Sequence, residues 1–507
     1  MAGDGRFIGE RASPRMESSE EDGTVDVLLT HSYHLAYDRK QWERMQPFPP
    51  LATLYAASLL KSRGISVTVF DTMLRDPGTF EAALRAHRPK VVAIFEDSFN
   101  FLSKMCLTRM REVAFRMAEA AHRAGALVIA HGSDATDQPD LYLRNNVDVV
   151  LFGEGEWALL DTVEASLAGR AVQGRVIAAP HDQRNGLPEA DRSLVDIEAY
   201  RTAWMRRHGH FTLNLISSRG CPFRCNWCAK PIFGDRYRVR SPQAVAEEML
   251  HLKTAYSPDQ LWFADDIFGL DHRWLAQFAD EVEARKAALP FKIQARADLL
   301  TAENVRNLRR AGCAEVWMGA ESGSQKVLDA MEKGLLVEEI RRARRLLGSQ
   351  GIRAGYFLQF GYPGETWSDI QKTVALVRET RPNDIGVSVS YPLPNTRFYE
   401  KVQQQLGAKR NWDDSADLTV MFRGAYSDDF YRSIRNALHA EVESWGSGSG
   451  TTGREIRMMW KAIERSEPAA RNKDATVLPE AGVEPGPQIH GSGFLPLNTL
   501  TVRGGEA

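Results

Sequence analysis

Cysteine is scarce: five residues in 507 are too few for a disulfide framework, which excludes the small secreted scaffold class. An excess of one charge is equally absent. Lys plus Arg number 64 against 66 Asp plus Glu, a net charge of −2, and no basic patch runs long enough to track a phosphate backbone, so no nucleic-acid partner is expected. Long hydrophobic runs are missing too; stretches such as 146–152 fall far short of the roughly 20 apolar residues that cross a bilayer, so no transmembrane segment is expected. The first thirty positions carry acids and lack the apolar core of a signal peptide, which points to a reducing cytoplasm. What is present is enough chain, 43% of it hydrophobic, for two or three domains with cores of their own.

Residues 1–24 are polar and acidic without periodicity and are expected to be a disordered leader. From Val25 short apolar runs alternate with helix-period stretches. The runs are VDVLLT (25–30), ISVTVFD (65–71), VVAIFED (91–97), ALVIAHG (126–132) and VDVVLFGEGE (147–156), separated by segments such as LATLYAASLLKSRG and LTRMREVAFRMAEAAHRAG. Buried strands alternating with helices build a parallel sheet covered on both faces, so 25–168 is expected to be a doubly wound, Rossmann-like α/β domain. A polar connector with Gly and Pro follows over 169–208. A second series comprises LNLISS (213–218), QLWFADD (260–266), FKIQARAD (291–298), EVWMGAESG (315–323), AGYFLQFGYPGE (354–365) and IGVSVSYPLP (385–394). Helical stretches between them predict a partial TIM-type (β/α)6 barrel over 209–400, with its chemistry at the carboxyl ends of the strands. Residues 401–466 are expected to form a small helical region, with helices near 428–445 and 455–464, and the Pro- and Gly-rich 467–507 a flexible tail.

Three of the five cysteines, Cys221, Cys225 and Cys228, are spaced C-x-x-x-C-x-x-C on the loop after LNLISS, a density of thiols that calls for a metal. A structural zinc asks for four protein ligands, and no fourth Cys or His is near in sequence; Cys313 or a distant His would have to return. Three thiolates suit a four-iron, four-sulfur (4Fe-4S) cluster whose remaining iron stays open to an external ligand. Cys106 and Cys313 read as buried small hydrophobes. Gly153, Gly155 and Ala158 keep the G-x-G-x-x-A spacing of a dinucleotide site, but no strand tipped with an acid follows them. Gly448–Arg454 has the outline of a phosphate loop without its Lys-hydroxyl pair and reads as a linker.

The phrase SSRGCPFRCNWCAKPIFGDRYRVRSP around those cysteines resembles the radical S-adenosylmethionine superfamily. The resemblance implies that Cys221, Cys225 and Cys228 hold the cluster, that its open iron chelates S-adenosylmethionine, and that one electron cleaves that cofactor to methionine and a 5′-deoxyadenosyl radical. A reductant such as flavodoxin or ferredoxin would supply the electron. The same resemblance implies cofactor contacts: Trp227 would lie near the adenine, Asp265 and Asp266 end the second barrel strand, and Arg296 ends the third. For these two acids and Arg296 a salt bridge at the barrel mouth is the competing reading. Glu321 and Ser322, in GAESGS, match the position where relatives contact the ribose and methionine parts, and Gln359–Gly364, with Gly361, resemble the fifth-strand motif beside the adenine. Tyr356 and Tyr391 point to the mouth region, with packing as the alternative.

Two amino-terminal phrases, PFPPLATLYAASLLKSRGISVTVFD (47–71) and VDVVLFGEGEWALL (147–160), resemble the cobalamin-binding domain that precedes the radical domain in one subclass. The implied contacts are Gly132, Ser133, Gly153, Glu154 and Gly155, ordinary strand-to-helix turns being the other reading. The motif D-x-H-x-x-G is absent, so cobalt would receive no histidine from it. Together the resemblances imply a cobalamin-dependent radical enzyme that methylates an unactivated carbon of a small natural-product or lipid-like substrate. One alternative is ring formation of the anaerobic magnesium-protoporphyrin ester cyclase kind, whose branch the cysteine loop and DDFYRSIRNALHAE (428–441) also resemble. The other is a non-catalytic corrinoid- or cluster-binding module. Phe430, Tyr431, Ile434 and Leu438 either line a substrate cavity or pack on the barrel.

Overall fold

The computed structural model describes residues 23–99, 108–172, 174–178, 186–230, 232–406, 418–446 and 451–476. Most of the leader and tail, Cys106 and the glycines at 448 and 450 lie outside the described residues. The chain divides into two compact units, the first built mainly from residues up to Leu215 and the second mainly from those beyond.

In the first unit six parallel strands, β1 (Val27–Thr30), β2 (Val67–Phe70), β3 (Val91–Phe95), β4 (Leu127–His131), β5 (Val149–Phe152) and β6 (Val176–Ala178), lie in the order β2-β1-β3-β4-β5-β6. Val27, Leu28, Leu29, Val91, Val92 and Ala93 have no exposure at all, because helices such as Leu51–Ser62 and Thr108–Arg123 shut both faces of the sheet off from water. Described parts of the segment expected to be a connector, 169–208, form regular elements. They supply β6, a strand of three residues too short to show a period, and the helix Ile197–His208. That helix starts where the Asp196 carboxylate accepts from Ala199 N and stops at Gly209, whose φ of 71° a side chain would disfavour. Its buried stripe of Ile197, Tyr200 and Trp204 is interrupted by charges, and so is inconspicuous in sequence. Trp204 Nε1 donates to Pro47 O at 2.7 Å.

β7 (Thr212–Leu215) ends the main stretch of the first unit, and β8 (Ser218–Arg219) and β9 (Arg238–Val239) form an antiparallel pair separate from the second unit's main sheet. The five members within the second unit are β10 (Gln260–Phe263), β11 (Phe291–Ala295), β12 (Cys313–Glu321), β13 (Arg353–Phe360) and β14 (Asp384–Val389), parallel and in the order β14-β13-β12-β11-β10. Helices His272–Arg285, Ala302–Ala311, Val337–Ser349 and Trp367–Thr380 follow successive strands, giving the expected partial barrel. Carboxyl-terminal helices Asp428–Glu443 and Gly453–Ala470 pack on one another, tied by Trp460 Nε1 to Glu441 at 2.7 Å and by Tyr426 OH to Glu467 at 2.7 Å. The second helix is longer than expected at both ends: a Thr452–Glu455 capping box starts it early, and it continues through Ala470 into the segment expected to be tail. Among the described residues no helix is long and apolar enough to cross a membrane.

Candidate active site

The loop bearing Cys221, Cys225 and Cys228 leaves β8 and returns through β9, so an antiparallel pair closes its neck. Asp265, just beyond β10, holds that neck from below. Its buried carboxylate accepts from Ser217 N at 3.0 Å, Ser217 Oγ at 2.6 Å and Ser218 Oγ, and burial pushes it up to about 6. Through these bonds Asp265 anchors the loop. Lys230 Nζ donates to Cys221 O at 2.5 Å and also to Phe223 O. Buried Asn226 pins the middle: its N reaches Met331 O at 3.1 Å, its Nδ2 reaches Ala330 O at 2.8 Å, its Oδ1 accepts from Tyr362 OH at 3.0 Å, and its O accepts from Phe398 N at 2.9 Å. The Arg296 guanidinium lies 3.7 Å over the Phe223 ring, donates to Lys333 O and Gly334 O, and pairs with Asp298 at 3.0 Å. Arg296 thus makes an ion pair, with Asp298.

All three loop thiols are half-buried. Burial pushes Cys228 up to about 12, helped by the charges of Cys225, Cys221 and Asp266, and burial raises Cys221 as well. Left to themselves Cys221 and Cys228 are thiols rather than thiolates, and a cation bound to them would reverse that. Among the described residues no three His, Cys, Asp or Glu side chains converge as ligands of a single metal ion. A four-iron cluster does not need that convergence, because each thiolate binds a different iron. Cys313 is fully buried at the start of β12, with Sγ 3.6 Å from Glu315 O, as a packing residue should be.

Beside the loop, β12 ends on an irregularity at Gly319–Glu321, and Glu321 takes a φ of 55°, an uncommon conformation for a residue with a side chain. Its carboxylate meets Lys333 Nζ at 2.8 Å. Burial works against the Lys333 ammonium, but the charges of Glu321 and Cys225 outweigh it and hold the group above the usual lysine range. A Cβ at Gly319 would lie 2.6 Å from Glu321 Oε1 and 2.7 Å from Lys333 Nζ, so the tips of the pair would have to shift to admit a side chain there. Lys333 Nζ also stands 5.8 Å over the Trp227 ring, whose buried Nε1 has no partner among the described residues. Ser322 is spent within the protein, its hydroxyl 3.1 Å from Thr373 Oγ1 and accepting from Ser324 N. Gln359 Nε2 donates to Ser390 Oγ at 2.9 Å.

At the turn after β13, Gly361 has φ 77° and donates its N–H to Glu365 Oε2 at 2.6 Å; burial pushes Glu365 up to about 8. A Cβ at 361 would lie 3.2 Å from the ring of Tyr431, which comes from helix Asp428–Glu443. Phe430, Tyr431, Ile434 and Leu438 are all buried, which favours packing for the group. Tyr356 does not face the mouth: fully buried, it points outward to the helix layer near Thr380 and Arg344, because even-numbered residues of β13 face the helices. The Tyr391 hydroxyl accepts from Leu418 N at 3.1 Å.

The first unit collects a polar edge at the carboxyl ends of its strands. Gly132, φ 145°, opens the short helix Ser133–Asp137, and a Cβ on it would strike the Glu96 side chain at 2.8 Å. Buried Ser133 begins that helix. Across from it is the Gly153–Glu154–Gly155 turn; His131 Nε2 lies 2.8 Å from Gly153 O, and a Cβ on Gly155 would lie 2.5 Å from the His131 ring. Sequence reasoning missed the neighbours. Buried His31 Nε2 meets Asp71 Oδ1 at 2.8 Å, and Tyr200 OH donates to Asp71 Oδ2 at 2.6 Å. Burial disfavours charge on both His31 and Asp71, yet their contact wins, holding His31 above and Asp71 below the ordinary values. Burial pushes Asp97 up to about 6 while its Oδ1 accepts from Ala52 N. The signal was available: the apolar runs ending at Phe70, Phe95 and Ala130 each give way at once to an acid or a histidine.

Residues 215–377 match the Radical SAM superfamily, so the second unit carries a radical S-adenosylmethionine domain. An uncharacterized methyltransferase of Pyrococcus horikoshii is 24% identical over 380 residues, covering 72% of this chain and 81% of its own. The anaerobic magnesium-protoporphyrin IX monomethyl ester cyclase of Rubrivivax gelatinosus is 25% identical over 382 residues, covering 71% of this chain and 67% of its own. The solved structure of the radical S-adenosylmethionine methyltransferase TsrM from Kitasatospora setae, with cobalamin and a [4Fe-4S] cluster bound, shares the fold, with a TM-score of 0.61 and 20% identity over 77% of this chain and 79% of that one. The protein is an enzyme, and the alternative of a non-catalytic module is set aside. A radical S-adenosylmethionine domain implies a four-iron, four-sulfur cluster and S-adenosylmethionine as cofactors.

Proposed function

We propose that this radical S-adenosylmethionine enzyme is a cobalamin-dependent methyltransferase acting on an unactivated carbon of a small molecule. The observation that carries the reading is the cysteine loop: three half-buried thiols on one segment, held at its neck by Asp265, at its middle by Asn226 and along its length by Lys230. Cys221, Cys225 and Cys228 would hold the cluster. Trp227, with an unused buried N–H, and the opposite charges of Glu321 and Lys333 would receive the adenine and the zwitterionic methionyl part of S-adenosylmethionine. Cobalamin would sit at the polar strand edge of the first unit, where buried Ser98 Oγ, Thr136 Oγ1 and His34 Nε2 have no partner among the described residues and suit a ligand rich in carboxamides. When bound, the cluster supplies an electron for S-adenosylmethionine cleavage and cobalamin carries the methyl group. The protein's own part is to orient those groups and exclude water from them, and a flavodoxin or ferredoxin would reduce it.

The likeness to the magnesium-protoporphyrin ester cyclase supports a second reading, oxidative ring formation on the same scaffold. Anaerobic reconstitution with iron, sulfide and hydroxocobalamin tests both. The expected result is a protein that retains iron and cobalt after desalting, forms 5′-deoxyadenosine when reduced with S-adenosylmethionine, and adds one methylene unit to its product. Cys225→Ala should lose both iron and cleavage. Cleavage surviving that change would overturn the cluster assignment, cobalt lost on desalting would overturn the cobalamin assignment, and a product lacking hydrogens instead of gaining carbon would select the cyclase reading.

A further inference from the structure

The barrel sheet has two unlike faces. Residues turned toward the helices, Val316, Met318, Ala354, Tyr356 and Leu358, have no exposure, whereas those on the opposite face stay partly open on all five strands of the second unit. Trp262, Gln294, Trp317 and Ser388 are half-buried there, and Phe357 is 37% exposed. A closed barrel fills this space with layers of side chains. Here it is an open trough.

Its floor is aromatic and flat. Trp317 stands in register with Gly355, and a Cβ on that glycine would lie 2.5–2.8 Å from the indole, so the ring lies down on the neighbouring strand. The Trp317 N–H, donated along its own strand to Glu315 Oε1 at 2.5 Å, keeps it there. Phe357 repeats the arrangement: it is in register with Gly319 on β12 and Gly386 on β14, and a Cβ at 386 would lie 3.3 Å from its ring. The two rings meet at 4.9 Å between centroids with 33° between their planes. Side chains on a sheet ordinarily stand away from it. Two that lie along it, on strips cleared by glycine, leave π-faces toward the trough in place of edges.

We propose that this trough binds the flat face of a planar, conjugated ring system, and that such a ring is the substrate class of the enzyme; as a statement about substrate it rests on the methyltransferase reading above. The rings offer face-to-face or offset stacking that a puckered, saturated molecule of equal size cannot match. Gln294, in register with Trp317 on β11, adds an amide beside the floor.

The test is equilibrium binding of 2-naphthoate and of its saturated counterpart, decahydro-2-naphthoate, to the full-length chain without reductant. These probes share charge and carbon skeleton and differ in planarity. The naphthoate should bind roughly 10-fold tighter, and Phe357→Leu should weaken it roughly 2- to 10-fold while leaving the saturated acid unmoved. Phe357 is the variant of choice because its exposure leaves the buried face of β13 untouched. Equal affinities, no binding of either acid, or naphthoate binding indifferent to Phe357→Leu would overturn the proposal; the first two are read on the unaltered protein and need no variant to fold. The methyltransferase reading is judged separately, by 5′-deoxyadenosine and product mass, so either can fail while the other stands.

Discussion

Replacing Lys333 by methionine removes one charge of the Glu321–Lys333 pair and keeps most of the side-chain volume. The two groups are 2.8 Å apart with side chains 8% and 6% exposed. At an effective dielectric of about 20, unit charges at that distance attract by about 6 kcal/mol, an attraction largely offset by the cost of holding both out of water. The asymmetry decides the outcome. Lys333→Met strands the Glu321 carboxylate in a site already shaped by a positive φ and by Gly319, and a stranded buried charge costs roughly 3–5 kcal/mol. For a unit of this size that lowers the melting temperature by on the order of 10 °C. Urea and thermal unfolding of the single variants Lys333→Met and Glu321→Gln and of the double variant form a cycle, and the double variant should recover most of the loss. A Lys333→Met cost under about 1 kcal/mol, or a double variant no more stable than Lys333→Met, would refute the view that the pair is a dry, mutually dependent unit.

Two further changes probe the turn after β13. Burial raises the folded-state pKa of Glu365 above its unfolded value, so its contribution to stability is full at low pH and declines as pH climbs from about 4.5 through about 8; Glu365→Gln should flatten a plot of melting temperature against pH across that window, and an unchanged slope would count against a buried neutral carboxyl. Gly361→Ala should cost roughly 1–3 kcal/mol, and Gly64→Ala, at a similar φ of 76° with nothing within 4 Å, should cost less, the difference being the Tyr431 contact; equal losses would remove Tyr431 from the account.

Much of this architecture was legible because strands of the first sheet are buried on both faces and appear as continuous apolar runs such as VDVLLT, while those of the second, buried on one face, alternate as in IGVSVS. The three cysteines stood out because three thiols fall within eight residues, Cys221 to Cys228. Less could be read where the partner of a residue is far along the chain. Asp265 looked like a mouth residue, and only folding shows Ser217 and Ser218 consuming its carboxylate. For Tyr356 the choice between mouth and packing turned on a single step of strand parity, since on a sheet one step changes face, and it packs. Strand β6 and helix Ile197–His208 escaped because three residues carry no period and an interrupted stripe resembles a polar connector. His31, Asp71 and Tyr200 come from segments 40 and 129 residues apart, a distance no motif spans.

The bonds of Asn226 bear on the order in which such an enzyme is made. Small zinc modules unfold without their metal because nothing else orders the ligand loop. Here the entropy lost in ordering the loop is compensated by the contacts of Asn226 with three separate parts of the barrel and by the serine anchors at its neck. On the proposal that Cys221, Cys225 and Cys228 hold a cluster, the polypeptide's own bonds order the loop without calling on iron. A cluster destroyed by oxygen would leave behind a vacant but intact cradle, open to repair by fresh iron and sulfide, rather than a chain committed to degradation.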